Sequence, residues 1–241
     1  MEGADLVAAG LASGQRPQVV FVVEGSVAEA GAAALHDEGS VALPVTAITR
    51  KVAEKLTTLE TPPPVMAVFP ELLPPPLAAL RSADLLAVYA DRIADPGNLG
   101  TLMRAAAAFG AAALLCSRDC ADPFAPKVVR ASMGAVFSLA LYTDQPLAGA
   151  LRDLEPARAY GLAAHGGADL ATAALARPAV LCVGAERAGL SPEVAQLVVE
   201  QLTIRLAPGV AAIESLNAGV AGAIALYEFS RRAGATPTSG G

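Results

Sequence analysis

The spacing of apolar residues changes within the stretch from residue 202 to residue 228. Every second residue from Leu202 to Leu206 is apolar, as in a β-strand, and Pro208-Gly209 then interrupts the pattern. After Glu214 the apolar residues recur at steps of three and four, as in an amphipathic helix: Leu216, Val220, Ala223, Ile224 and Tyr227. The pattern predicts a strand, a turn and a helix. Ser215 would stand at the beginning of that helix, where free backbone N–H groups can bind an anion or a small molecule.

Upstream of this stretch, from about residue 82, strand and helix patterns alternate. Short apolar runs typical of buried strands occupy residues 85–90, 112–116, 138–142, 159–164, 180–183 and 202–206. Helical patterns occupy residues 99–109, 126–132, 146–154, 169–175, 192–199 and 215–231. The alternation is typical of an α/β fold with a parallel sheet covered by helices on both faces, in which ligands bind at the carboxyl ends of the strands.

The first 76 residues form a separate, smaller pattern. Helices are predicted at 5–12, 27–36 and 50–59, and strands at 18–23, 41–45 and 65–69. The segment 71–76 contains three consecutive prolines and cannot continue a helix or a central strand. We therefore predict two domains, a small α/β domain at 1–76 and a larger α/β domain at 77–241.

Composition excludes several classes of protein. The longest apolar run, from Ala105 to Cys116, is too short to span a bilayer, which takes about 20 residues. The amino end lacks a charged-then-apolar leader, so we expect a cytoplasmic protein without a membrane partner. His36 and His165 are the only histidines, and neither has a second ligand at metal spacing, so we expect no metal site. Cys116, Cys120 and Cys182 are predicted to be buried, reduced thiols.

The net charge of −6 and the pI near 5.0 are unfavourable for binding nucleic acid, because phosphate contacts need a basic surface. Any contact with RNA would have to come from local basic clusters. The candidates are Arg50-Lys51 with Lys55, Arg81, Arg92 with Arg104, Arg118, Lys127 with Arg130, and Arg231-Arg232. Each of them taken singly is equally consistent with a solvated surface charge.

Two segments carry candidate chemistry before the final helix. In residues 95–110 we predict that Asn98 caps a helix and that Arg104 lies two turns in, away from the apolar stripe, although an ordinary helix with one solvated arginine fits as well. In residues 181–193, Gly184 and Gly189 allow backbone groups to face a ligand, and Glu186 follows the carboxyl end of a strand. The glycine spacing fits neither a dinucleotide-binding fingerprint nor a phosphate-binding loop.

A third segment, at the beginning of the last helix, presents the hydroxyl of Ser215 and the amide of Asn217. No G-x-S-x-G elbow surrounds Ser215, and a Ser-His hydrolase would have to recruit a distant histidine. The segment therefore favours a binding role over a nucleophilic serine.

In their order and spacing, these segments resemble the SpoU (TrmH-type) RNA 2′-O-methyltransferases of the SPOUT superfamily. The matching positions are Asn98-x-Gly-x-x-x-Arg104 with Ala-Phe-Gly110, Arg130-Ala-Ser-Met-Gly-Ala135, Gly184-x-Glu-x-x-Gly-Leu-Ser191, Ser215-Leu-Asn217 and Tyr227-Glu228. The resemblance covers residues 82–230. Residues 1–76 are similar to the small ribosomal-protein-like RNA-binding domain that precedes the catalytic domain in many members.

The resemblance implies a parallel sheet whose carboxyl-terminal part forms a deep trefoil knot, and a homodimer that completes each active site. It also implies S-adenosylmethionine as the cofactor, held in the knot mostly by backbone groups. The corresponding positions are Gly184, Ile204, Leu206, Leu216, Ala164 and His165. The family commonly has Ile-Pro where this chain has Ile204-Arg205, so we expect an altered affinity for the cofactor.

The activity implied is transfer of a methyl group to a ribose 2′-hydroxyl in ribosomal or transfer RNA. Arg104 matches the key arginine of the family. We interpret it as an electrostatic stabiliser, because a guanidinium keeps its proton up to about pH 12 and cannot act as a base. Its position and that of the ribose would be fixed by Asn98, Glu186, Ser215 and Asn217.

Two other functions remain open from the sequence alone. One is an RNA-binding or assembly protein that uses the same scaffold but no longer catalyses, an alternative motivated by the acidic charge and by the altered cofactor loop at Ile204-Arg205. A nucleotide-binding oxidoreductase would need the glycine fingerprint that is absent here.

Overall fold

The computed structural model describes residues 1–26, 43–207 and 215–233. The chain divides into two compact units, Met1–Leu72 and Leu73–Gly241, whereas the sequence placed the boundary between residues 76 and 77. The predicted helix at 27–36 and the first residues of the predicted strand at 41–45 lie outside the described residues.

The first unit contains a three-stranded sheet and two helices. The elements are α1 (Ala4–Ala12), β1 (Val19–Val23), β2 (Val45–Ile48), α2 (Arg50–Leu56) and β3 (Val65–Val68). Strand β1 lies in the centre, parallel to β2 and antiparallel to β3. Alternate residues of β1 are buried because they point to one face, where Val20 and Val22 pack with Val7 and Val65.

Two predictions for this unit had wrong bounds. Strand β2 begins where the predicted strand at 41–45 was expected to end, since the exposed Thr46 and Ala47 gave it a weak apolar pattern. Helix α2 ends at Leu56 because Thr57 is extended and its hydroxyl donates a hydrogen bond to the Glu2 carboxylate.

The second unit contains a seven-stranded sheet in the order β6-β5-β4-β9-β7-β10-β8, in which every neighbouring pair is parallel. The parallel α/β fold predicted from the sequence is confirmed. The strands are β4 (Leu86–Asp91), β5 (Ala113–Cys116), β6 (Ala140–Tyr142), β7 (Arg158–Leu162), β8 (Ala168–Asp169), β9 (Ala179–Gly184) and β10 (Glu200–Thr203). The helices are α3 (Pro96–Ala108), α4 (Pro126–Ser132), α5 (Leu147–Asp153), α6 (Pro192–Ala195) and α7 (Ala218–Ala233), with short 3₁₀ helices at Leu77–Leu80 and Ala135–Phe137.

Strands β4 and β9 form the buried centre of this sheet, and every residue of both is buried. On one face α3 packs against both α4 and α7 at very short range. A Cβ atom added at Gly100 would lie 2.4 Å from Ala131, and one added at Gly222 would lie 2.4 Å from the Leu102 side chain. The small residues of α7 therefore let it approach α3 closely.

Several predicted elements of this unit differ from the structure. The predicted helix at 169–175 is wrong: Asp169 ends the short strand β8, and its side chain accepts a hydrogen bond from the Ala171 N–H at 2.9 Å, which favours a turn over a helix. The predicted helix at 192–199 stops at Ala195, because strand β10 already begins at Glu200.

None of the described helices is both long enough and apolar enough to cross a membrane.

Candidate active site

A cavity of about 690 Å³ lies at the carboxyl ends of β7, β9 and β10. Its wall is formed by residues 162–165, by the turn at 183–190 and by residues on both sides of the undescribed segment 208–214. The six positions that the sequence assigned to a cofactor all line it: Gly184, Ile204, Leu206, Leu216, Ala164 and His165. Ser215 also lies in the wall, exposed, whereas Asn98, Arg104 and Asn217 do not.

The turn after β9, residues 184–191, is called the glycine turn below. Gly189 adopts a φ of +62°, which favours glycine, and its N–H donates to the Ala185 carbonyl at 2.9 Å. Gly184 is required for a different reason: a Cβ there would lie 2.3 Å from the carbonyl carbon and oxygen of Gly189. The turn thus folds back on itself tightly, and its residues 184–190 line the cavity.

The prediction that Asn98 caps α3 is wrong. Asp95, not Asn98, caps α3: its side chain accepts a hydrogen bond from the Asn98 N–H at 2.8 Å. Asn98 lies inside the first turn of α3, and its side-chain amide is therefore available for other contacts.

Asn98 joins three segments that are far apart in the sequence. Its Nδ2 donates to the Glu186 carboxylate, and its Oδ1 accepts from Asn217 Nδ2 at 2.6 Å. Asn217 Oδ1 in turn accepts from the Val220 N–H at 3.2 Å, which caps the first turn of α7. The resulting chain, Glu186 to Asn98 to Asn217, fixes the beginnings of α3 and α7 and the end of β9 in one arrangement.

Arg104 is not part of this chain. Its side chain is exposed, and it has no hydrogen bond or ion pair within the described residues. Six residues along a helix amount to about 9 Å of axial rise and place Arg104 on a different side of α3 from Asn98. The structure therefore brings together Asn98, Glu186 and Asn217, with Ser215 in the nearby cavity wall, and leaves Arg104 apart from them within one chain.

An ion pair joins the segment directly after β10 to the end of β8. Arg205 lies between the cavity residues Ile204 and Leu206, and its Nε is 2.6 Å from Asp169 Oδ2. The Arg205 side chain is 78% exposed, so this pair is worth at most about 1 kcal/mol. The residue at this departure from the family pattern thus contacts a neighbouring turn rather than the cavity.

Two residues near the site have contacts that the sequence did not indicate, although Arg92 was named there in a basic cluster with Arg104. Asp91, at the carboxyl end of β4, is buried and accepts a hydrogen bond from the Ser191 N–H at 2.5 Å. Arg92 follows it with a φ of +58°, which is unusual for a residue with a side chain. A charged pair directly after a fully apolar strand was the available signal.

The cysteines are free, as predicted, but only Cys116 and Cys182 are buried. Cys120 is partly exposed. A hydrogen bond from the Cys116 thiol lowers the pKa of Cys120 to about 6. Ser117 lowers this pKa further, and burial acts in the opposite direction. The same hydrogen bond raises the pKa of Cys116. Within the described part of the chain, no three His, Cys, Asp or Glu side chains are placed to hold a metal ion.

The comparisons with known proteins agree with the motifs. The model of the SpoU rRNA Methylase family matches residues 85–227, which is more than half of the chain. The chain belongs to this family. The resemblance drawn from the sequence is thereby confirmed, and all of the matched residues fall in the second unit.

Curated relatives in the SpoU family are named as tRNA or rRNA methyltransferases. One, from Synechocystis, is an uncharacterized tRNA/rRNA methyltransferase that is 38% identical over 69% of this chain and 58% of its own length. Another, from Streptomyces viridochromogenes, is a 23S rRNA (uridine(2479)-2′-O)-methyltransferase that is 35% identical over 72% of this chain and 62% of its own length. The match thus spans about three-fifths of the length of each of these two relatives.

Solved structures of methyltransferases match almost all of the chain. AviRb from Streptomyces viridochromogenes, in complex with AdoMet, matches with a TM-score of 0.82 and 27% identity over 96% of this chain and 89% of that one. An AdoMet-bound rRNA methyltransferase from Sinorhizobium meliloti matches with a TM-score of 0.78 and 29% identity over 96% and 86%.

Proposed function

We propose that this SpoU family member transfers the methyl group of S-adenosylmethionine to a ribose 2′-hydroxyl in ribosomal or transfer RNA. RNA methylation is supported by the family and by the names of the relatives. The 2′-oxygen is supported by a 2′-O-methyltransferase at 35% identity. The observation that carries the proposal is the cavity at the carboxyl ends of β7, β9 and β10, because two of the family's motif segments, at 184–190 and 215–216, line it together with the other predicted cofactor positions.

The cavity suits S-adenosylmethionine in size and in composition. Its volume of about 690 Å³ lies within the range of small-molecule sites, about 300–1,000 Å³. Backbone groups at Gly184, Ile204 and Leu216 would hold the adenine and methionine parts, and Ala164 and His165 also line the cavity. A tight glycine turn exposes N–H and C=O groups that a side chain would otherwise cover.

When bound, the cofactor supplies an electrophilic methyl group on a sulfonium. In the overall reaction the S–CH₃ bond breaks, an O–CH₃ bond forms at the ribose, the hydroxyl proton is released, and S-adenosylhomocysteine is left. The ribose hydroxyl is almost wholly un-ionised at neutral pH, so the negative charge that develops on its oxygen needs stabilisation. Arg104 supplies a permanent positive charge for this purpose, and the chain Glu186 to Asn98 to Asn217 fixes the helix ends around the ribose.

A second copy of the chain completes the site in this proposal. Within the described residues of one protomer Arg104 has no hydrogen bond or ion pair to the Asn98 chain, which is consistent with a neighbouring protomer that provides the remaining wall. Helix α7 carries an exposed apolar stripe at steps of four and three residues, formed by Val220, Ile224 and Tyr227. Tyr227 also packs edge-to-face on Phe109 of α3, with the ring centroids 5.7 Å apart. This stripe is the surface that we propose to pair in a homodimer.

Two features inferred from the resemblance stay predictions: the deep trefoil knot and the ribosomal-protein-like nature of residues 1–76.

The test combines binding and transfer. We expect calorimetric titration to show one S-adenosylhomocysteine bound per protomer. We also expect label from methyl-labelled S-adenosylmethionine to enter ribosomal or transfer RNA, and Arg104→Ala to abolish transfer while leaving cofactor affinity within about threefold. RNA binding without any transfer by the wild-type protein would favour the non-catalytic assembly protein, which is motivated by the net charge of −6 and by Arg205 in the cofactor loop. Full transfer by Arg104→Ala would remove that arginine from the mechanism.

A further inference from the structure

We propose that Asp91 and Arg92 act as a positioning pair that holds the glycine turn in the shape needed to bind the cofactor. The inference rests on the proposed function, because it takes the cavity to be the site of S-adenosylmethionine. Neither residue lines the cavity, so both would act only through the turn.

Asp91 lies directly beside the start of the glycine turn. In the pairing of β4 with β9 its register partner is Gly184. The Asp91 side chain is 3% exposed, and its Oδ2 accepts a hydrogen bond from the Ser191 N–H at 2.5 Å. A hydrogen bond to a buried carboxylate is among the stronger ones in proteins. Since Ser191 also caps α6 through its hydroxyl, Asp91 fixes both the end of the turn and the start of the next helix.

Arg92 holds the same turn at a second point. Its Nη2 donates to the Gly189 carbonyl at 3.2 Å, and its Nε lies 3.6 Å from Asp91 Oδ1. That Nε is buried and has no hydrogen-bond partner, so the Asp91 charge is its nearest compensation. The backbone of Arg92 is left-handed, with φ at +58°, and its N–H donates to the Ser117 hydroxyl at 2.9 Å.

The two contacts bracket the part of the turn that closes it. Gly189 is held through its carbonyl and Ser191 through its N–H, so Leu190 between them is fixed on both sides. Residues 185–188, which come before Gly189 in the turn, also form part of the cavity wall, but this pair does not contact them. Strained backbone at the end of a central strand is typical of functional sites, and here it aims the guanidinium at the turn.

The test compares full-length variants by calorimetric titration with S-adenosylhomocysteine. Arg92→Gly removes the guanidinium and also relieves the left-handed strain, so we expect the melting temperature to be unchanged or higher while the Kd rises about tenfold. Asp91→Ala should raise the Kd at least as much and speed hydrogen exchange at the Ser191 amide. Asp91→Asn keeps an oxygen that can accept from that amide, and we expect it to restore the Kd to within about threefold of the wild type.

Arg81 offers a matched control. Its guanidinium also holds carbonyls, those of Asp153 at 2.6 Å and Arg152 at 3.4 Å, but it does not line the cavity. We expect Arg81→Ala to leave the Kd within about twofold. In steady-state assays Arg92→Gly should raise the KM for S-adenosylmethionine and leave kcat within about threefold, because the reacting atoms are untouched.

Cofactor binding by Arg92→Gly and Asp91→Ala that equals that of the wild type and of Arg81→Ala would overturn the positioning role. If Asp91→Ala does not fold, Arg92→Gly carries the test, because we expect its melting temperature to be unchanged or higher. A wild-type protein that does not bind S-adenosylhomocysteine would instead overturn the proposed function and, with it, the cofactor role of the pair.

Discussion

The glycine turn provides the most direct prediction about stability and binding together. In Gly184→Ala the new Cβ would lie 2.3 Å from the Gly189 carbonyl carbon and oxygen and 2.5 Å from the Leu190 nitrogen. All of these are backbone atoms, so no rotamer change can relieve the contact. The two backbone segments must separate by about 1 Å to reach ordinary packing distance.

Overpacking of this kind costs about 1–3 kcal/mol, and rigid backbone on both sides puts this case at the upper end, about 2–3 kcal/mol. For a unit of this size that corresponds to a fall in melting temperature of about 5–10 °C. The separation also displaces backbone groups that line the cavity. We expect the affinity for S-adenosylhomocysteine to fall by about tenfold or more, since two misplaced hydrogen bonds cost about 1–3 kcal/mol.

Gly222→Ala in α7 is the matched control. Its Cβ would meet the tip of the Leu102 side chain at 2.4 Å, which can rotate away, and alanine gains about 1 kcal/mol of helix propensity over glycine. We expect its unfolding free energy to stay within about 1 kcal/mol of the wild type. Scanning calorimetry with and without S-adenosylhomocysteine measures both effects. A Gly184→Ala protein that melts and binds like Gly222→Ala would refute the reasoning.

Three further predictions concern the Asn98 chain, Cys120 and the α7 stripe. Asn98→Ala removes both hydrogen bonds that join Glu186 to Asn217, so we expect labelled-methyl transfer to fall about 10–100-fold with cofactor affinity within about threefold; equal transfer would exclude the chain from catalysis. The pKa of Cys120 is lowered to about 6, so we expect its rate of alkylation by iodoacetamide to rise through pH 6 and to level off by about pH 7. The alkylation rate of an ordinary thiol still increases with pH at that point. Cys120→Ser should abolish the reaction that levels off by pH 7. Ile224→Asp places a charge on the exposed stripe, so sedimentation should give a monomer without transfer activity, and an active monomer would contradict the homodimer.

The elements that could be predicted are those whose signal lies in their own residues. Strands β4 and β9 are continuous apolar runs because both faces are buried, and α7 shows a clear helical period. Strand β8 has two residues and exists only through pairing with β10, at Leu202 with Ala168 and Thr203 with Asp169. No local pattern could have indicated it, and the turn chemistry of Asp169 looked like a helix start.

The residues of the candidate site likewise fall into those that the sequence indicated and those that depend on distant contacts. Gly184 and the wall positions followed from the motif resemblance, and they do line one cavity. Asp91 was missed because a carboxylate after an apolar strand has the appearance of a surface residue, and its burial depends on Ser191, 100 residues later. The capping of α3 by Asp95 was missed because Asp95 and Asn98 are both good capping residues, and only the backbone geometry distinguishes them.

The central claim, that the converged motifs form a site for methyl transfer to a ribose oxygen, can be measured at the product. Ribosomal and transfer RNA would be incubated with the protein and methyl-labelled S-adenosylmethionine, then hydrolysed in alkali. A 2′-O-methylated ribose cannot attack the adjacent phosphate, so its linkage survives hydrolysis. We predict label in alkali-resistant dinucleotides with the wild-type protein and its loss with Arg104→Ala. Label in mononucleotides, which would place the methyl group on a base, or no incorporation into either RNA, would contradict the account.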